Sequence, residues 1–192
     1  MQAEQTRERI LAAAREQFRS VGYAATRLDA IASAAQVSPK TVEAYGSKRG
    51  ILAALVDPLA VAGPPRELID RIRVADDPRE RIRLVAELCR RVYQAWTPEF
   101  ELLREAGSVA PEIMAVASQI DGRRRDNQAR LVGYLVERGC LKPDLAPGEA
   151  VAIIWALSSY DMYRGLVLSQ GWTPERYQAW LADTLIASVL NG

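Results

Sequence analysis

Helical periodicity runs through almost the whole sequence, and no stretch keeps the alternation of apolar and polar residues that marks a half-buried strand. Residues Gln5–Val21 show the pattern, because apolar side chains recur there every three or four positions and charged side chains fill the other positions. Later helix starts pair a capping residue with a proline at the first helical position: Ser38-Pro39, Asp77-Pro78, Thr97-Pro98 and Thr173-Pro174. These features predict an all-α fold.

Glycine and proline divide the helical pattern into segments. Gly22 ends the first helix, and Gly63-Pro64-Pro65 interrupts the pattern. We therefore predict an N-terminal domain of three helices over residues 1–48, a connecting helix over 49–63 and a larger helical domain over 64–192. In the larger domain we expect helices at about 66–74, 78–96, 98–106, 111–138, 147–169 and 174–190.

The composition argues against catalysis and metal binding. Histidine is absent, and the cysteines Cys89 and Cys140 lie too far apart along the chain for a zinc-ligand pair. We therefore expect no enzyme activity, no metal and no cofactor. The N-terminus is polar, and no run of about 18 apolar residues occurs. A reduced, cytoplasmic protein without a membrane partner is expected.

The stretch from Thr26 to Lys48 predicts two short helices joined by a tight turn. Thr26, followed three residues later by Asp29, has the form of a capping box for the first helix. Gln36-Val37 makes the turn, and Ser38 caps the second helix. This is the order of elements in a helix-turn-helix, whose second helix enters the major groove of DNA. In that helix Val42 is predicted to pack inward, and the outward residues are Lys40, Thr41, Glu43 and Ala44.

The outward face of the second helix has residue types that suit DNA recognition. Lys40 can donate to guanine, and Thr41 can bond to phosphate or contact a thymine methyl group. The free N–H groups at Arg27 and Leu28 form a positive helix end that suits phosphate. The net charge is only +1, with +2 in residues 1–57 and −1 in the remainder, so any basic surface must be local.

A longer pattern surrounds this stretch. It comprises Thr6–Leu11, Ala13, Ala14, Phe18, Gly22, Tyr23, Thr26, Ile31, Ala32, Ala35, Val37, Ser38, Thr41, Val42, Tyr45, Ser47, Lys48 and Leu52. The pattern resembles the DNA-binding domain of the TetR family of bacterial transcriptional regulators. The resemblance implies that the helix beginning at Pro39 reads the operator and that residues on both sides of it contact phosphates. The candidate DNA-binding residues are Thr26, Arg27, Ser38, Pro39, Lys40, Thr41, Ala44, Tyr45 and Lys48.

The sequence departs from the family pattern around the second helix. Gln36 stands where glycine is usual, and a left-handed conformation there would cost about 1 kcal/mol. Glu43 stands where the family usually has a phosphate-contacting tyrosine. A phenylalanine that usually separates the positions of Tyr45 and Gly46 is absent, and one missing residue would rotate the following helix by about 100°. Either the turn has adapted, or the sequence has lost a residue.

The C-terminal part is similar to the ligand-binding and dimerisation domain of many family members, which implies a helical domain for a small-molecule effector. Residues 151–168 are apolar on more than one side, and with the last helix they are predicted to form a homodimer face. Arg123-Arg124-Arg125 is predicted to be a solvated helix face. The other residues of the predicted dimer face are Trp180, Leu181, Leu185, Ile186 and Val189, and the pocket candidates are Trp96, Phe100, Leu103, Met114, Tyr134 and Trp155.

These features together predict a ligand-responsive transcriptional repressor. Two DNA-reading heads about 34 Å apart in a symmetric dimer reach successive major grooves, so the double-stranded operator should be palindromic. Binding of a small hydrophobic effector would release the repressor from this operator. The absent residue before Gly46 keeps open a second hypothesis, a helical small-molecule or protein binding module with impaired DNA binding. An all-α enzyme is a third, although the sequence has no nucleophile–base pair and no phosphate-binding loop.

Overall fold

The computed structural model describes residues 2–56, 65–107 and 113–191. Within these ranges the only β-type pairing is an isolated bridge between Leu141 and Leu190, so the predicted all-α fold is confirmed. The helices are α1 Gln2–Val21, α2 Leu28–Ala34, α3 Pro39–Tyr45, α4 Lys48–Val56, α5 Arg66–Val74, α6 Pro78–Gly107, α7 Ile113–Glu137, α8 Pro147–Leu157, α9 Tyr160–Tyr163, a π-helix Arg164–Ser169, and α10 Pro174–Val189.

The backbone divides into two compact units. The first comprises Met1–Ala62 and Thr97–Ile120, and the second comprises Gly63–Trp96 and Asp121–Gly192. The predicted continuation of the connecting helix over 57–63, the Gly63-Pro64 break and the predicted helix start at Pro111 lie outside the described residues. The three-part division at residues 48 and 63 stays a prediction.

One apolar core holds the first unit together. Phe18 and Tyr23 pack with their ring centroids 5.3 Å apart. Gly22 ends α1 as predicted, with φ of 84° and its N–H donating to the Phe18 carbonyl at 3.0 Å. Val42, predicted to pack inward, is buried in this core. The buried side chains of this core are Ile10, Ala14, Phe18, Tyr23, Ile31, Ala32, Ala35, Val42, Ile51, Leu52, Leu55, Val56, Leu102 and Leu103.

One predicted helix of the second unit is divided in the structure, and one predicted helix boundary is kept as a kink. The predicted helix over 147–169 breaks at Ser158, because the Ser159 hydroxyl caps a new helix by accepting from the Met162 N–H at 3.3 Å. The predicted helix boundary at Thr97-Pro98 is confirmed as a kink between two helical segments of α6, where Trp96 has a non-helical φ of −116° and ψ of 16°. Pro98 has no N–H to donate to the preceding turn, which explains the kink.

The last helix, α10, begins as predicted, since the Thr173 hydroxyl accepts from the Arg176 N–H at 3.1 Å. Its apolar side chains, however, are used inside the second unit. The prediction that Leu181, Leu185, Ile186 and Val189 form a dimer face is wrong, because all four are buried within the single chain. Periodicity identifies a buried face but does not say whether the same chain or another one covers it.

The turn between α2 and α3 is closed without glycine. Gln36 has a left-handed φ of 52°. Its N–H donates to the Ser33 carbonyl and the Val37 N–H donates to the Ala32 carbonyl, both at 3.0 Å, which is the Schellman arrangement of a helix end. The Arg9 guanidinium of α1 donates to the carbonyls of Ala35 and Gln36 at 2.5 Å and 3.0 Å. Contacts from α1 therefore support a strained turn.

Replacing Gln36 by glycine should stabilise the protein. Relief of the left-handed strain is worth about 1–2 kcal/mol, and the greater freedom of glycine in the unfolded chain offsets about 0.4–1 kcal/mol of it. We expect Gln36→Gly to raise the free energy of unfolding by about 0.5–1 kcal/mol in chemical denaturation. Ser33→Gly, three residues earlier inside α2, is the control and should lower it by about 0.5 kcal/mol. A loss of stability in both variants would contradict the strain.

Candidate nucleic-acid interface

The helix predicted to read DNA, α3, is held with one polar face outward. The Ser38 hydroxyl caps it by accepting from the Thr41 N–H at 3.1 Å, and Pro39 occupies the first turn, as predicted. Val42 is completely buried and fixes the inward side. Lys40 is exposed and makes no hydrogen bond or ion pair within the described residues, so its ammonium is available. The other outward residues are Glu43 and Ala44, which are exposed, and Thr41, which is half-buried.

Arg27, at the start of α2, lies on the surface in an ion pair. Its guanidinium lies 3.1 Å from the Asp29 carboxylate, and the two side chains are 80% and 56% exposed. The hydrogen bond from Arg27 lowers the pKa of Asp29 and raises the pKa of Arg27. A phosphate at this place would have to compete with an exposed carboxylate.

Thr26 does not cap α2, so the predicted capping box is wrong. The residue before α2 is Arg27, which makes no side-chain cap. Thr26 is only 3% exposed, and its hydroxyl donates to the Gly22 carbonyl at 2.8 Å. The hydroxyl therefore closes the loop after α1.

Lys48, at the start of α4, points back to the same loop. Its ammonium donates to the carbonyls of Tyr23, Ala24 and Thr26 at 2.9 Å, 3.1 Å and 3.0 Å. The nitrogen also lies 4.8 Å from the centroid of the Tyr23 ring. The sequence does not predict these acceptors, because backbone carbonyls leave no mark in the residue pattern, and the phosphate contact of Lys48 stays a prediction.

Tyr45, at the end of α3, is half-buried and has a partner on α1 that sequence reasoning missed. A hydrogen bond with Tyr45, together with one to Glu4, raises the pKa of the exposed Arg7 guanidinium. Arg7 thereby adds a cation beside a predicted phosphate contact. The only sign of this role in the sequence is that Arg7 lies on the polar side of α1, away from the apolar stripe.

The chain leaves α3 through a conformation that glycine alone adopts readily. Gly46 has φ of 153° and ψ of 178°. Ser47 then starts α4, accepting from the Gly50 N–H at its hydroxyl and from the Ile51 N–H at its carbonyl. Ile51 and Leu52 are completely buried, so α4 is seated in the core despite the absent residue. Gly46 is the residue whose conformation permits this exit from α3.

The six predicted pocket residues are not brought together within one unit. Leu103 lies in the core of the first unit, and Met114 is 53% exposed. In the second unit the Tyr134 hydroxyl donates to the Asp76 carbonyl at 2.6 Å, and the Trp155 indole donates to Asp121 at 3.0 Å. Trp96 and Phe100 are half-buried. Their role as a pocket stays a prediction.

A buried polar network follows the break after α8. Arg124 donates to the carbonyls of Trp155 and Ser158 at 3.1 Å and 3.0 Å and pairs with Asp121 at 2.9 Å. The prediction that the Arg123–Arg125 run is a solvated face is therefore wrong for its middle residue. The Tyr93 hydroxyl donates to the same Ser158 carbonyl at 2.5 Å, and burial raises the pKa of this phenol, which keeps it a donor.

Two buried polar atoms of the second unit lack a hydrogen-bond partner among the described residues. They are Oε1 of Gln128 and the hydroxyl of Tyr177. Gln128 donates through its other amide atom to the Ser158 hydroxyl at 3.0 Å, and Tyr177 packs edge-on against Tyr163 at 5.0 Å. Each unsatisfied group costs about 1–3 kcal/mol. Sequence reasoning named neither residue, because an unsatisfied atom is a property of packing.

An open groove of about 430 Å³ lies between α7 and α8. None of the six predicted pocket residues lines it. Its walls are largely small and apolar, which is typical of a packing surface more than of a polar ligand site. The lining residues are Ala129, Val132, Gly133, Val136, Glu137, Pro147, Gly148 and Val151.

Comparison with known proteins supports a regulator fold. Residues 10–55 match the sequence model described as bacterial regulatory proteins, tetR family. No curated protein matches the chain. Among solved structures, NalD of Pseudomonas aeruginosa, the secondary repressor of the MexAB-OprM multidrug efflux pump, is 20% identical with a TM-score of 0.78, covering 100% of this chain and 98% of NalD.

Two further solved structures show the same likeness. A putative transcriptional regulator from Saccharomonospora viridis, in complex with choline, is 19% identical with a TM-score of 0.76, covering 98% of this chain and 100% of that one. A putative TetR-family regulator from Syntrophomonas wolfei is 20% identical with a TM-score of 0.72, covering 95% and 93%. The resemblance to the TetR family is confirmed: the chain has the fold of its transcriptional regulators and, over residues 10–55, its N-terminal domain.

Two kinds of feature are absent from the described ranges of the chain. None of the helices there has the length and apolar character needed to cross a bilayer. No cluster of three or more acidic, cysteine or histidine side chains able to hold a metal ion occurs among those residues.

Substituting Gly46 tests how the chain tolerates the absent residue. An added Cβ would meet no atom within 4 Å, so the cost of Gly46→Ala is conformational, about 1–3 kcal/mol. We expect lower stability in chemical denaturation. Gly50→Ala is the matched control inside α4: its Cβ would lie 3.6 Å from the Ser47 hydroxyl, an ordinary contact, and it should stabilise by up to about 1 kcal/mol. Equal effects of both changes would contradict the role of Gly46.

Proposed function

We propose that this protein is a homodimeric transcriptional repressor that binds a palindromic operator in double-stranded DNA and is released by a small molecule. It works in the cytoplasm and catalyses no reaction. Residues 1–48 form the DNA-binding domain, and residues 64–192 bind the effector and dimerise. Residues 49–63 form a helix that connects these two domains. The observation that carries the proposal is the capped, outward-facing α3 within a domain of the TetR family.

The proposed interface divides into base-reading and phosphate-contacting parts. Lys40 has a free ammonium, and Ala44 is small enough to permit close approach to a base edge. Thr41 and Tyr45, each one residue further along α3, contact phosphates. Arg27 binds a phosphate after its ion pair with Asp29 breaks. Ser38 and Pro39 set the start of the helix. Thr26 is buried, and both Thr26 and Lys48 hydrogen-bond to backbone carbonyls around the loop that leads into α2, beside this interface.

The effector is proposed to bind in the second unit, beside the polar network. The unsatisfied Gln128 and Tyr177 atoms offer hydrogen-bonding capacity in apolar surroundings, the usual composition of a ligand site. Trp155 is the pocket candidate that contacts this network directly. The choline complex of the Saccharomonospora viridis protein supports a small-molecule ligand for this fold. We therefore expect a small, mainly apolar effector with one hydrogen-bonding group.

Operator selection tests the DNA-binding part. Double-stranded DNA selected by the full-length protein from a random pool should contain two inverted half-sites about 10 base pairs apart, centre to centre, or a multiple of that spacing. Gel shift should show binding to this site and not to a scrambled site. Weak, sequence-independent binding would instead support a binding module that has lost operator recognition.

Replacing Lys40 should change which sequence is bound. If Lys40 donates to guanine, Lys40→Ala loses about 1–3 kcal/mol of discrimination at that base pair only. Repeating the selection with the variant measures this directly. The control is Arg49→Ala, a change of equal charge at an exposed position of α4, which should leave the selected sequence the same. An unchanged selection with Lys40→Ala would exclude base reading by this residue.

Two tyrosine variants test the effector site. Tyr177→Phe removes an unsatisfied hydroxyl and should raise the free energy of unfolding by about 1–3 kcal/mol. Tyr93→Phe removes a satisfied hydroxyl and should lower it by about 0.5–1.5 kcal/mol. In a thermal-shift screen of small apolar molecules, a compound that stabilises the wild-type protein should stabilise Tyr177→Phe less. Equal shifts in melting temperature for the wild-type protein and Tyr177→Phe would place the effector away from Tyr177.

A further inference from the structure

The Lys48 ammonium is saturated by its own chain. A lysine has three N–H donors, and three carbonyl oxygens, those of Tyr23, Ala24 and Thr26, lie 2.9–3.1 Å from Nζ. The face of the Tyr23 ring lies on the same nitrogen, at 4.8 Å. A phosphate could bind Lys48 only by displacing one of these acceptors. Lys48 would then lose one of its three hydrogen bonds to the loop between α1 and α2.

The three acceptors all belong to the loop that leads into α2. Tyr23 is buried against Phe18, and Thr26 is buried with its hydroxyl on Gly22. Each end of the loop is thus fixed to α1, and Lys48 fixes the middle of it to the start of α4. One side chain connects two segments that are 22 to 25 residues apart.

The same side chain also determines where α3 lies. Only Gly46 and Ser47 separate α3 from Lys48, so the start of α4 sets the exit of the reading helix. The loop on the other side sets the entry of α2, which leads through the Gln36 turn to the start of α3. Movement of the ammonium away from the carbonyls would therefore free both ends of the helix-turn-helix.

We propose that Lys48 is a positioning residue for operator binding and not a phosphate ligand. This inference rests on the proposed DNA-binding function. It separates two effects of the same positive charge: a phosphate ligand adds affinity by releasing a counterion, whereas a positioning residue adds affinity by keeping α2 and α3 in register.

Salt dependence distinguishes the two roles. Loss of one phosphate contact reduces the slope of log K against log salt by about 0.9, whereas loss of a positioning contact leaves the slope unchanged. We expect Lys48→Met to weaken binding to the selected operator about tenfold or more at every salt concentration, with a parallel slope. Arg27→Met, which removes one positive charge at the proposed phosphate contact before α2, should flatten the slope. A flattened slope for Lys48→Met would overturn the inference.

A variant that keeps the charge provides a second test. Arginine binds phosphate at least as well as lysine, but its planar guanidinium does not place three donors at one point. Lys48→Arg should therefore weaken operator binding and speed hydrogen exchange of the Thr26 amide, which donates to Gly22 at 3.2 Å. Retained affinity with unchanged exchange would overturn the inference. Failure of the wild-type protein to bind any operator specifically would instead overturn the proposed function.

Discussion

The position of α3, the helix predicted to read DNA, depends on the residues at its two ends, because α3 is too short to be stable on its own. α3 has seven residues, fewer than an isolated helix needs in water, and it buries only Val42. Its direction is therefore set by the Ser38 cap and the left-handed Gln36 turn at its start, and by Gly46 at its exit. Gln36 and Gly46 both have positive φ values. Backbone conformation therefore determines the orientation of α3 more than side-chain packing does.

Charged side chains on α1 hold this arrangement from behind. Arg9 donates to the carbonyls of Ala35 and Gln36 in the turn before α3. Arg15 lies 2.9 Å from Glu99, a carboxylate that is only 5% exposed. Breaking this pair would leave a buried charge unpaired, which costs several kcal/mol. The helix that carries the apolar stripe therefore also supports the Gln36 turn and pairs with the buried Glu99.

How far the sequence predicts the fold depends on the range of each interaction. Ser38-Pro39 and Thr173-Pro174 were predicted correctly, because a cap and its N–H lie three residues apart. Thr26 was assigned the wrong partner, because a buried threonine that bonds backward to Gly22 has the same local sequence as an N-cap. Arg124 was predicted to face solvent, and the acceptors of Arg124 and Lys48 were not predicted, since main-chain carbonyls on other segments leave no local signal.

The low charge of the reading surface has a consequence for the proposed regulation. On α3 the cation of Lys40 is accompanied by exposed Glu43, and Arg27 is shared with Asp29. A single head therefore neutralises few phosphates, and its non-specific affinity should be low. Tight binding then requires both heads of a dimer, because the second head binds at the high effective concentration set by the first. Weak heads make operator binding sensitive to head spacing, so an effector coupling of about 1–3 kcal/mol is sufficient for release.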